Sequence, residues 1–263
     1  MTMIIDINTY IGHWPFRKLT HNTPLQLGCI MDNAGIDLMC VSNLNSIFYR
    51  NSQDGNKELF KQIQSSEIYK DRFLPFAIIN PAYPAWEKDF LQCINNFGMK
   101  GLELYPYYHN YRLTDRAAVE LINLATQKGI PVHLPCALEN HRQRHWLDVK
   151  EDITADSVKG MLSLCPDADI IISNGQTARM YEELQPIISE RKGKVYFDFS
   201  RVNAIDAAFD SLIHSIGTEH IVFGSAMPFQ YIDTQMVKLH FSKLVQNDKD
   251  NIMYKNLQEL LNL

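Results

Sequence analysis

Leu138-Glu139-Asn140-His141-Arg142-Gln143-Arg144-His145-Trp146 brings a carboxylate, two imidazoles and two guanidinium groups into one short stretch. Such a set suits acid-base chemistry on an anionic substrate. Arg142 would grip a substrate carboxylate in a planar bidentate fork, and Glu139 or His145 would move a proton. If the stretch is helical, His141 and His145 share a face, and with Glu139 they would make a partial metal clamp with no evident fourth ligand. A solvated loop whose charges pair with one another is the other reading. Tyr105-Pro106-Tyr107-Tyr108-His109-Asn110-Tyr111-Arg112 offers aromatic walls with polar tips for a small organic ligand, His109 among them, or simply an aromatic cap. Gly12-His13-Trp14-Pro15-Phe16-Arg17 adds His13, while Trp14 and Phe16 read as loop anchors. Asp198 and Ser200 alternate with Phe197 and Phe199, so an inward Asp198 would be a general base or would hold an arginine.

These groups act together only if the fold gathers them. Eight β-rich runs alternate with helical patterns: Ile4 to Thr9, Asp37 to Ser42, Phe73 to Ile79, Lys100 to Tyr105, Ile130 to Pro135, Asp169 to Ser173, Val195 to Ser200 and His220 to Gly224. That alternation predicts βα units around a parallel sheet, and eight is the closed-barrel number. Helix starts and stops are marked at Thr23-Pro24, at Thr114 or Asp115, and at Gly129. The predicted fold is a single (β/α)8 TIM barrel over residues 1–263, closed by a C-terminal helix from Asn251 to Leu263. In such a barrel the loops after the strands form the active face. Gly12 to Asn22, Asn43 to Gly55, Tyr105 to Leu113, Cys136 to Thr154 and Ser225 to Asp233 would therefore surround a pocket.

The opening Ile4-Ile5-Asp6-Ile7-Asn8-Thr9-Tyr10-Ile11-Gly12 resembles the first strand of the amidohydrolase-related family, usually Asp-x-His-x-His-x-Gly. Asn80-Pro81, Gly98-Met99-Lys100-Gly101, Gly129-Ile130-Pro131-Val132, Val222-Phe223-Gly224-Ser225 with Pro228, and Asn256-Leu257-Gln258-Glu259-Leu260-Leu261 extend the resemblance along the chain. The family's metal-ligand frame falls on Asn8, Tyr10, Glu103 or Tyr105, Pro135, Ser173 and Ala226, and none is a histidine. Ala226 stands where the family carries an aspartate that binds metal and serves as base, and a methyl group does neither. The resemblance thus implies a divergent branch, a hydrolase or related lyase without the inherited metal-bound water. His133 is two residues before Pro135 and faces the same side. It reads as a hydrogen-bonded interior histidine, with a weak ligand as the alternative. Ser225, in the family's glycine-serine turn, could present backbone N–H groups to an anion.

Hydrophobic residues make up 46% of the 263 residues, enough for a sizeable core. No apolar run reaches the ~18 residues of a membrane span, and Met1 to Asp6 lacks the pattern of a secretory signal. The cytoplasm is the expected compartment, with no membrane partner. Five cysteines, none at Cys-x-x-Cys spacing, indicate neither a disulfide framework nor a zinc knuckle, and Cys136 reads as an inert thiol. A net charge of −5 with interspersed signs gives no phosphate-binding stripe, so nucleic acid is not an expected partner.

The leading expectation is a metal-independent enzyme for a small carboxylate, lactone or sugar-derived compound, with no cofactor. Glu139, His145 and Asp198 would be catalytic; Asn8, Tyr10, His13, Glu103, His109, His133, Arg142, Ser173 and Ser225 would line the site. A barrel that binds a metabolite or a protein partner without turnover is the alternative. A relocated metal held by His141, His145 and Glu139 with His13 or His109 is a third. A homo-oligomer is compatible with all three.

Overall fold

The structure is a computed structural model that describes residues 3–263. Its eight strands are β1 (Ile5–Ile11), β2 (Leu38–Asn43), β3 (Phe73–Ile78), β4 (Gly101–Glu103), β5 (Val132–Pro135), β6 (Ile170–Ser173), β7 (Val195–Asp198) and β8 (Ile221–Val222). All neighbours pair in parallel and in chain order. Ile7 N–H donates to the Phe223 carbonyl at 3.0 Å and Tyr10 N–H to the Met227 carbonyl at 2.8 Å, which brings β1 against the end of β8. The expected single-domain TIM barrel is therefore what the chain forms.

Helices cover the outside. In α1 (Pro24–Ala34), Thr23 caps the start by accepting from Gln26 N–H, and Gly35 at φ 71° ends it. A left-handed residue at that point satisfies a last-turn carbonyl without a Cβ penalty. The short α2 (Asn45–Phe48) and α3 (Ser52–Gln64) occupy much of the stretch expected as the loop from Asn43 to Gly55. The helix from Arg116 to Gln127 buries Ala118, Leu121, Ile122 and Ala125, the apolar stripe predicted from their spacing. Asp115 precedes it, but its carboxylate accepts from Arg112 N–H rather than capping the helix.

Two strands are shorter than their apolar runs. In β8 the Phe223 N–H is taken by the Ile252 carbonyl, so the ladder stops at Val222. After Glu103 the chain enters turns in which His109 N–H donates to the Tyr105 carbonyl and Tyr111 N–H to that of Pro106. The register of β1 against β2 shifts between Asp6 and Thr9. That irregularity changes the alternation, so Ile5 and Ile7 join the lower interior cluster while Asn8 and Tyr10 enter the polar upper interior.

The C-terminal segment is helical from Gln246 to Leu261, with a π turn at Asn251–Lys255. Leu257, Leu260 and Leu261 pack against Ile5, Ile7, Leu74, Phe76, Ile171, Tyr196 and Val222. The closing helix thus seals the barrel end opposite the strand-exit loops. No helix among the described residues is long and apolar enough to cross a membrane.

Candidate functional site

Polar side chains replace aliphatic ones in the upper interior, and each of them is buried. On one side stand Asn8, Asn174, Asp198 and Ser200. Asn8 Nδ2 donates to Asp198 Oδ2 at 2.7 Å and to Asn174 Oδ1 at 2.9 Å. Asn174 N–H donates to Asp198 Oδ1 at 3.2 Å, its Nδ2 to the Tyr10 hydroxyl at 3.2 Å, and the Ser200 hydroxyl to Asn174 Oδ1 at 3.1 Å. A Cβ on Gly224 would stand 2.6 Å from Asp198 Oδ2 and 3.1 Å from Asn8 Cβ, so only glycine lets the β8 exit lie against this pair. Burial pushes the Asp198 carboxyl up, and the hydrogen bond from Asn8 offsets part of the rise.

Across the interior, Glu103, His133 and Ser173 come from adjacent strands β4, β5 and β6. His133 Nε2 lies 2.6 Å from Ser173 Oγ, and its Nδ1 lies 3.5 Å from Glu103 Oε2. The Tyr105 hydroxyl donates to the other Glu103 oxygen. His133 is thus the hydrogen-bonded interior histidine expected from its alternation.

At the head of the strand-one signature, Asp6 Oδ1 accepts from Asn8 N–H and Ser225 N–H, both at 3.0 Å, while its buried Oδ2 has no hydrogen-bond partner among the described residues. Ser225 therefore turns its backbone N–H to Asp6 rather than outward. Burial, only partly offset by the Ser225 and Asn8 hydrogen bonds, pushes Asp6 from 3.8 up to about 7. Because the folded value is the higher one, the folded chain keeps a proton that the unfolded chain has lost. The Asp6 contribution is full below the unfolded value, falls by up to about 1.4 kcal/mol per pH unit toward the folded value, and is level above it. Asp6→Asn should flatten that fall, with the Asp198 share remaining, when urea unfolding is measured from pH 5 to 8. A variant profile parallel to the wild type would show that Asp6 does not hold the proton.

Aromatic side chains close the interior from above. Trp14 meets Phe229 at 5.1 Å, Phe16 at 5.2 Å and Phe48 at 5.5 Å between ring centroids, and Tyr10 meets Phe229 at 5.6 Å. Tyr105 and Tyr108 extend this cap. Packed rings thus fill part of the space expected as a pocket among the exit loops. A cavity of 660 Å³ lies instead to one side, lined by Gly12, His13, Thr23, Asn45, Lys61 and Ile68 among others.

The loop candidates divide differently from their sequence grouping. Glu139 is 2% exposed, and Arg17 grips both its oxygens, Nε at 2.9 Å and Nη2 at 3.0 Å. Residues 139–147 form turns rather than a helix, so His141 and His145 are not held as a helical pair. His141 and Arg142 are exposed, and His145 stacks on Phe16 at 5.7 Å. His13 is exposed and reaches the flank cavity. His109 is buried, with Nε2 3.2 Å from the Ile47 carbonyl, and burial pulls its pKa down to about 4, so it is neutral at pH 7.

Two participants carried little sequence signal. Asn174 sits just past β6 at φ 56°, where its amide links Asn8, Tyr10 and Ser200. Arg201 donates from Nη2 to the Leu138 carbonyl at 2.8 Å, while its buried Nε has no hydrogen-bond partner among the described residues. Burial pulls the guanidinium below its ordinary range, opposed chiefly by Asp198 and then by Tyr10 and Glu139.

The positions that the resemblance would give to a metal fit one poorly. Pro135 and Ala226 have no side-chain donor, and Asn8 turns its amide N–H groups to Asn174 and Asp198, leaving its buried Oδ1 without a hydrogen-bond partner among the described residues. Among the described residues no group of three or more His, Cys, Asp or Glu side chains is placed to hold an ion, and this includes the relocated set of Glu139, His141 and His145 with His13 or His109.

Structural likeness extends over the whole barrel. A dihydroxybenzoic acid decarboxylase from Polaromonas sp. JS666, solved with bound manganese and the inhibitor 2-nitroresorcinol, has a TM-score of 0.75 at 15% identity, covering 100% of this chain and 98% of that one. A 5-carboxyvanillate decarboxylase from Sphingomonas paucimobilis gives 0.70 at 12% identity over 100% of both chains. A 4-oxalomesaconate hydratase from Rhodopseudomonas palustris gives 0.68 at 17% identity, covering 99% of this chain and 96% of that one. At such identities the likeness is one of fold. Comparison with curated proteins returns no match. The amidohydrolase family model matches residues 60–262. With most of the chain matched, and the barrel that family requires in place, the protein belongs to the amidohydrolase family.

Proposed function

We propose that this chain is a metal-independent hydrolase or lyase that acts on a small carboxylate, lactone or sugar-derived compound at the strand-exit end of the barrel. The observation that carries the reading is Arg201, a half-buried side chain whose buried Nε has no acceptor among the described residues, close enough to Asp198 to feel its charge. A buried donor without a partner is costly, and a substrate carboxylate would satisfy it with a charge-assisted bond. Asp198 is biased toward its protonated form by burial, so it serves as the acid that delivers a proton and later recovers it. Asn8, Asn174 and Tyr10 orient that carboxyl. In this reading Glu139 holds Arg17 and His145 packs on Phe16, so the proton falls to Asp198 alone of the three catalytic candidates. Decarboxylases and a hydratase among the similar folds support a carboxylate substrate.

The test is thermal unfolding with benzoate-type, aliphatic and sugar-acid carboxylates, followed by product analysis for any that bind. A ligand at a hundred times its Kd stabilises by about 2.7 kcal/mol, and Arg201→Met should weaken binding roughly 10- to 100-fold. Equal shifts in wild type and variant would remove Arg201 from the site. A second reading, binding without turnover, is favoured by the aromatic closure above the polar interior; it predicts a shift and no product.

A further inference from the structure

The helix from Asp233 to Phe241 sits on the barrel with its polar side inward. Gln235, Lys238 and Leu239 are buried beneath it, with Ser242 just beyond. Its outer side carries Val237 and Phe241, 43% and 56% exposed and one helical turn apart, and Tyr231 and Val245 stand exposed before and after it. A surface helix ordinarily turns such a stripe to the core. Side-chain bonds prevent that here. Lys238 Nζ donates to the Phe199 carbonyl at 3.2 Å and to Gln235 Oε1 at 2.6 Å, and Gln235 Nε2 reaches the Ser225 carbonyl at 3.4 Å. The Lys238 ammonium also lies 5.7 Å from the centre of the Phe199 ring. Rotating the helix to bury Phe241 would break these bonds and strand a lysine, so the apolar stripe stays outside, where only another molecule can cover it.

We propose that this face is the interface of a homodimer in which the Asp233–Phe241 helices of two copies pack antiparallel. The distribution of charge on the helix favours a second copy as the occupant. Asp233 stands exposed at the start, and His240 and Lys243 stand exposed at the end and just past it. Among the described residues neither Asp233 nor Lys243 enters an ion pair. Lys243 N–H donates to Asp210 Oδ2 at 2.8 Å, which fixes the backbone of the basic end against the neighbouring helix from Asp206 to Ile216. Two such helices related by a two-fold axis through Val237 bring the acidic start of each to the basic end of the other, with their dipoles opposed. A parallel pairing would set like ends together. Exposed Ile205, at the start of the neighbouring helix, adds apolar surface beside the stripe. The face is smaller than that of an obligate dimer, so a reversible dimer with a roughly micromolar dissociation constant is expected. The inference makes no use of the carboxylate reading, and either can fail alone.

The experiment is sedimentation equilibrium of the whole protein over a concentration series that brackets the micromolar range. The wild type should pass from monomer to dimer. Phe241→Ser, a change on an exposed side chain that leaves the buried bonds of the helix alone, should raise the dissociation constant roughly 10- to 100-fold. Asp233→Lys should raise it roughly 5- to 30-fold, since the altered pair occurs twice about the axis. Adding Lys243→Glu to Asp233→Lys should bring most of the affinity back, because the swapped charges meet again across the interface. A wild type that stays monomeric well above the micromolar range overturns the inference. So does a dimer whose dissociation constant is unchanged by Phe241→Ser, which would put the contact on another face. A charge swap that recovers nothing overturns the antiparallel arrangement.

Discussion

Asp198→Asn should lower turnover of any substrate found by the carboxylate screen by roughly 100- to 10,000-fold, the range for loss of a positioned general acid. The substitution keeps the shape of the side chain and removes its titrating proton. It also reverses a donor pattern. Asp198 accepts from Asn8 Nδ2 through one oxygen and from Asn174 N–H through the other. An amide in its place must turn an NH2 group toward one of those donors. That mismatch should cost about 1–3 kcal/mol of stability, visible in urea unfolding, while circular dichroism still reports the barrel. Rates within a few fold of wild type, in a protein with the expected stability loss, would leave Asp198 as a structural tie and strip it of its chemical role.

The second large effect is on stability and concerns a residue that looks catalytic in the sequence. Arg17→Ala should destabilise the protein by about 2–4 kcal/mol, because it leaves the Glu139 carboxylate buried without its counter-ion. The lower figure reflects the partial exposure of Arg17, which lets water replace some of what is lost. Arg17 also reaches the Phe229 carbonyl at 3.3 Å and lies over the Phe229 ring, so its removal loosens the aromatic cap. Adding Glu139→Gln should recover part of the loss, since a neutral amide is less costly to bury than a lone charge. The measurement is a double-mutant cycle by urea unfolding. A single variant within about 0.5 kcal/mol of wild type, the usual scatter for surface changes, would show that Glu139 does not depend on Arg17 as its counter-ion.

The two cases show where sequence reading reaches and where it stops. The stretch from Leu138 to Trp146 is dense in ionisable groups. Density along the chain says nothing about the partner that arrives from elsewhere, and Glu139 is neutralised by a residue 122 positions away. His141 and Arg142 face solvent, and the helix that would have paired the histidines is replaced by turns. Asp198 and Ser200 were legible because strand alternation is local, and the inward aspartate follows from it. Asn174 was not legible. An asparagine after a strand reads as a turn residue, and only the closed barrel sets its amide against Asn8, 166 positions earlier.

The eight alternating apolar runs and the helix signals at Thr23 and Gly129 together determine an eight-stranded barrel, because periodicity and turn chemistry act over a few residues, and the strand-one and strand-eight segments add a resemblance to the amidohydrolase family. The same sequence puts Asn8, Tyr10, Pro135, Ser173 and Ala226, none of them a histidine, where the resemblance would place metal ligands. Tertiary structure decided the rest. The shift in β1 between Asp6 and Thr9 decided which side chains enter the upper interior. Closure of the barrel decided that Asn8 meets Asp198 and that His133 lies between Ser173 and Glu103. The packing of Trp14 against Phe229 decided how the aromatic cap closes above these buried polar groups. Hydrogen-bond partners, burial and the pKa shifts that follow from burial belong to distances between strands, and those distances exist only once the sheet has curled upon itself.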